Sequence, residues 1–175
     1  MKKITGIVVI VLGLVSCGAP KMDAKLIKSM TLGYEKGVVA GIDIGDNWGD
    51  VKKNAHKEWE IDSPEERVGS AMTIGSLSRS WDMFNNVFIS VGLDNNNNVW
   101  ELSYTINGKK GNHLLIAEIE NALKEEFNYK YEVSEYGGWN FVSPNGGKCG
   151  LNLNLNKQED VGSNSLSINV FNLSQ

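Results

Sequence analysis

Two cysteines, two histidines and scattered carboxylates are the groups in this 175-residue chain that could do covalent or metal chemistry. Cys149 could serve as a nucleophile only with a base beside it, and His113 is the nearer histidine in sequence. Yet Cys149 occupies the apolar phase of an alternating run with Leu151, Leu153 and Leu155, where a thiol behaves as a small buried hydrophobe. His56 and His113 stand far apart and outside any His-Glu-x-x-His arrangement. Asp94, Asn96 and Asn98 match the first ligands of a calcium loop. The loop then fails, because Val99 stands where glycine must turn the chain and Thr105 where a bidentate glutamate is needed. Asp43, Asp46 and Asp50 are explained by helix capping and solvation. Glu65/Glu66 and Glu125/Glu126 are the adjacent pairs any acidic chain contains. No Gly-x-Ser-x-Gly elbow, phosphate loop or dinucleotide fingerprint occurs. No catalytic residue, metal site or cofactor is therefore expected, and the chain is read as a non-enzyme.

Cys17 is different. Lys2 and Lys3 precede an apolar run over residues 4–15, broken only by Thr5, Gly6 and Gly13, and Ser16 follows. Charge, apolar core and a small residue in that order make a secretory signal peptide. The run is short of the about 20 residues that span a bilayer. Leu14-Val15-Ser16-Cys17 resembles the lipobox of bacterial lipoproteins. That resemblance implies cleavage after Ser16, a diacylglyceryl thioether on Cys17 and acylation of the new amine. Gly18, rather than Asp, after the cysteine implies sorting to the outer membrane. The expected organisation is a signal peptide over 1–16, a lipidated N-terminus and tether over 17–37, and a single α+β domain over 38–175. In the tether, Leu26, Ile27 and Met30 have helical spacing and allow a short amphipathic turn that Gly33 would end.

The whole chain carries 17 basic and 21 acidic residues. Loss of Lys2 and Lys3 with the leader leaves 15 against 21, a charge of −6. Nucleic acid, bound through phosphate neutralisation, does not suit such a chain. A basic protein partner does. With Cys17 lipidated, Cys149 has no partner for an intrachain disulfide.

The elements follow from hydrophobic period. Asp46 or Asn47 can cap a helix whose face carries Trp48, Val51 and Ala55. Residues 58–70 are polar and read as loop, with a helical start at Ser63-Pro64-Glu65-Glu66. Val87, Ile89, Val91 and Leu93 alternate with polar or small residues, as do Trp100, Leu102, Tyr104 and Ile106. The Asn-rich turn between them makes a hairpin. Asn112 caps the clearest helix, carried to about Phe127 by Leu115, Ile119 and Leu123. Strands follow at 129–133, 139–143, 149–155 and from Leu166 on, with Phe171 and Leu173 out of phase as at a bulge. The fold expected is an antiparallel sheet with one or two helices on one face. Each half of the order has a capped helix and then strands, so two similar halves are an arrangement it allows. Among the five tryptophans, Trp59 lies between Glu58 and Glu60 with no period to claim it. It is the candidate exposed anchor for a partner.

The stretch 42–106 resembles the BamE/SmpA family of small lipoproteins and the repeat of β-lactamase inhibitory proteins. Ile42, Gly45, Asn47 and Val51 match the family's turn into a helix, with Asn47 in place of the usual hydroxyl cap. Phe88 to Val91, Asp94, the Asn run and Val99 match its hairpin. The Leu-Gly-x-Pro that closes the family's second helix is absent after Val51. The resemblance implies scaffolding in envelope assembly, or protein inhibition, without a cofactor. The expectation is a non-enzymatic lipoprotein, held to a membrane by Cys17, that binds another envelope protein. The alternative is an immunity or inhibitor lipoprotein acting against a toxin or hydrolase in the periplasm.

Overall fold

A computed structural model describes residues 22–32, 39–55, 59–66, 73–81, 85–109, 113–158 and 163–173. Cys17 with its leader, His56 and Asn112 fall outside them. The chain runs α1 (Ala24–Leu32), α2 (Trp48–Asn54), β1 (Glu60–Glu66), β2 (Thr73–Ser80), β3 (Asn86–Leu93) and β4 (Val99–Lys109). It continues through α3 (His113–Lys130), β5 (Glu132–Val133), β6 (Trp139–Val142), β7 (Lys148–Gln158) and β8 (Ser163–Asn172). The eight strands form one antiparallel sheet in the order β1-β2-β3-β4-β8-β7-β6-β5. Two four-stranded meanders, each introduced by a helix, thus meet where the last strand of one pairs with the last strand of the other.

Strict alternation explains the core. Val87, Ile89 and Val91 pair with Ile106, Tyr104 and Leu102, and these pair with Leu166, Ile168 and Val170 on β8. All are buried, on one face of the sheet. The helices cover that face. Ile116, Ile119, Leu123 and Phe127 give α3 a fully buried stripe at helical spacing. Phe127 meets the buried Trp139 edge-on at 5.3 Å. Trp48 of α2 lies against Gly75, where a Cβ would stand 2.5 Å from the indole, so only glycine lets the helix approach β2. Among the described residues no helix covers the opposite face.

Four expectations need correction. The segment 24–32 belongs to the domain and not to a tether. Asp23 accepts from the Leu26 amide at 2.8 Å and starts α1. Ile27, Met30 and Thr31 are then buried against the core, and Met30 Sδ accepts from Arg79 of β2 at 3.9 Å. The loop over 58–70 contains strand β1, an edge strand whose register shifts between Asp62 and Glu65. Pro64 falls inside that shift, where its missing N–H breaks no ladder bond. The strand over 129–133 is mostly helix. α3 continues to Lys130, held by its 2.8 Å pair with Glu126, and only two residues remain for β5. Finally, β8 has no bulge at Phe171. Its pairing runs unbroken from Ser163 to Asn172. Phe171 points to the polar face, over Gly150, where a Cβ would come within 2.5 Å of its ring.

Candidate protein-binding face

The open face of the sheet is built from the positions that alternate with the core. One row across five strands reads Ser76, Ser90, Ser103, Asn169 and Asn152. The next reads Ser78, Phe88, Thr105, Ser167 and Asn154. A third reads Ser80, Asn86, Asn107, Ser165 and Asn156. Across these five strands no residue of the rows is charged; on β1 the first two rows continue to Asp62 and Glu60. Their groups lock one another across strands. Ser103 Oγ donates to Asn169 Oδ1 at 2.9 Å, Thr105 and Ser167 hydroxyls lie 3.4 Å apart, and Asn107 Nδ2 donates to Asn86 Oδ1 at 2.8 Å. Phe88 breaks the pattern, 40% exposed amid this polar field. A short-chain, pre-ordered polar surface around an aromatic ring loses little side-chain entropy on binding.

The described groups picked out for chemistry lie outside these rows. Cys149 faces the core, fully buried. Its thiol points at the Gly147 carbonyl at 3.6 Å, and burial pushes its pKa up. That makes it a poor nucleophile at neutral pH. Of its proposed base, His113, the backbone alone is described, at the start of α3. Asp46, not Asp43 or Asp50, organises the turn before α2. One carboxylate oxygen accepts from the Asp43 amide at 2.8 Å and the other from Asn145 Nδ2 at 3.2 Å. Asn145 also donates to the Ile44 carbonyl at 3.0 Å, tying this turn to the β6–β7 turn. Asn47 is the cap of α2, accepting from the Gly49 amide at 3.0 Å. Asp94 accepts from the amides of Asn96 and Asn98, both at 2.8 Å, and these bonds hold its carboxyl below the usual range. The would-be calcium loop is thus a tight Asx turn, with Asn97 in the left-handed region at φ 60°. Among the described residues no three His, Cys, Asp or Glu side chains group as metal ligands do.

Trp59 is not an exposed anchor. It is 7% exposed and sits edge-on to Tyr104, ring centres 6.3 Å apart. It precedes β1 and turns onto the helical face, which no period could reveal in a one-residue lead. Part of the open face is legible without a structure: the Asn152, Asn154, Asn156 alternation stands in the sequence. What it could not give is the register that sets those residues beside Ser167, Thr105 and Phe88. No described helix is long and apolar enough to cross a membrane. In comparison with known proteins, no family model, no curated protein and no solved structure matches the chain.

Proposed function

We propose that this chain is a non-enzymatic envelope lipoprotein, anchored through Cys17, that binds another envelope protein with the open face of its sheet. The observation that carries the reading is the three rows around Phe88, uncharged across five strands and covered by no described helix, while all three described helices pack on the other side. The leader and lipobox support the location, and the Gly18 that follows supports the outer membrane. The negative charge of the mature chain does not concentrate on these rows. That favours an assembly partner over a basic toxin. The test is cross-linking in intact cells with Phe88→Ala and Thr105→Arg variants, each checked by a thermal melt. Phe88→Ala should weaken partner capture by about 1–2 kcal/mol or more, as an aromatic anchor does. Thr105→Arg should abolish it by placing an unpaired charge at the centre of the face. Unchanged cross-linking by both folded variants would overturn the assignment of the face. Labelled fatty acid entering a Cys17→Ala chain would overturn the anchor.

A further inference from the structure

We infer that the corner formed by the start of α1, the last turn of α3 and the β5–β6 hairpin rests on the headgroup layer of the membrane that holds the anchor. The inference rests on the anchoring reading above and adds an orientation to it. Five residue steps separate Cys17 from Met22, the first described residue, and a fully extended chain covers roughly 18 Å in that distance. The domain therefore cannot stand far off the bilayer. The same reach decides which part of it lies close. Lys28, one turn into α1, meets Glu126 of α3 at 3.8 Å, and Glu126 is shared with Lys130 at 2.8 Å. The middle of α1 is thus beside the last turns of α3, and the first residue of α1 is only about 6 Å of helix rise away.

That end carries an unusual exposure. Tyr129 is 89% exposed, Val133 64% and Tyr136 91%, all within eight residues. β5 is the last strand of the sheet, so no described strand lies beyond it. Tyrosine suits this position, since its ring favours the acyl boundary while its hydroxyl stays among headgroups. Phe88 lies five strand spacings from β5, about 24 Å along the sheet. The binding face would then stand clear of the lipid.

The experiment uses the full-length lipidated protein in vesicles of phosphatidylethanolamine and phosphatidylglycerol. Tyr129→Cys, Tyr136→Cys and Phe88→Cys chains carry an environment-sensitive fluorophore. The parent chain, whose Cys149 is buried, sets the background. Headgroup-region nitroxide lipids should quench the probes at 129 and 136 at least about threefold more than the probe at 88, as expected for residues seated at the interface. Equal quenching at all three, or stronger quenching at 88, overturns the orientation. Mass spectrometry of the N-terminal peptide separates the two readings: a lipid-free Cys17 overturns the anchor and the orientation with it, whereas a lipidated chain with unquenched probes overturns the orientation alone.

Discussion

The two halves of the sheet share an order of elements and solve the same packing problem differently. In the second half, α3 is 18 residues long and buries a stripe of four apolar side chains. In the first, α2 has only 7 residues, too few to hold itself together by backbone bonds alone. It compensates with one large side chain, Trp48, set against a glycine, and with the Asn47 cap. It is also pinned to the β3–β4 turn: the Gly45 and Trp48 amides donate to the Val99 and Asn97 carbonyls at 2.8 and 2.9 Å. α1, which the second half has no counterpart for, adds Ile27 and Met30 to the same core. A long amphipathic helix and a short helix with an auxiliary one are thus alternative ways to cover four strands.

If the shared sheet makes these two solutions one cooperative unit, damage in either half should lower a single transition. Trp48→Ala, which empties the space in front of Gly75, should cost about 3–5 kcal/mol, and Leu123→Ala about 2–5 kcal/mol. Lys124→Ala, on the exposed face of the same helix, should stay within about 0.5 kcal/mol. Calorimetry that resolved two transitions, with each core variant moving only one, would break the comparison. A milder probe is the tie between the halves at Asn145. Asn145→Ala removes its bonds to Ile44 and Asp46 and should cost about 1 kcal/mol in urea, with both halves still melting together. The smallest effect is on pH dependence. Burial, then the nearby Asp43 and Glu126 charges, push the Tyr131 phenol from 10.0 up to about 12. The folded state therefore holds this proton more tightly than the unfolded chain. Its contribution is complete below pH 10 and is lost as pH rises towards 12. Tyr131→Phe should flatten the fall of stability across that window; an unaltered slope would show that other groups cause it.

The same contrast explains what could be read without a structure. α3, the β3–β4 hairpin and β7 were legible because each buries one face and so carries a clean period. β1 was not. It is an edge strand of Ser, Pro and Glu, paired on one side, and nothing in its composition records that pairing. The helical spacing of α1 was legible, up to its end before Gly33, but its place in the domain was not, because nine residues with two apolar anchors hold a helix only when a core receives them. The far end of α3 was misjudged because Tyr129 and Tyr131 imitate a strand, although Tyr129 is exposed and Tyr131 packs on Phe127. Trp59 was misplaced for the opposite reason: its neighbours are charged, while its own ring is in the core.

The pairing of β4 with β8 also sets a timetable. Thr105 and Ser167, neighbours in the finished sheet, are 62 positions apart, and Ser103 and Asn169 are 66. Contacts so distant in sequence form late, because the intervening loop must close first. Until the final strand emerges, β4 and β7 each show a bare edge that any other extended chain could join. A polypeptide leaving a pore with its N-terminus first would therefore keep this sheet unfinished until β8 was free. Loss of the terminal strand would strike the centre of the molecule and leave two separate meanders.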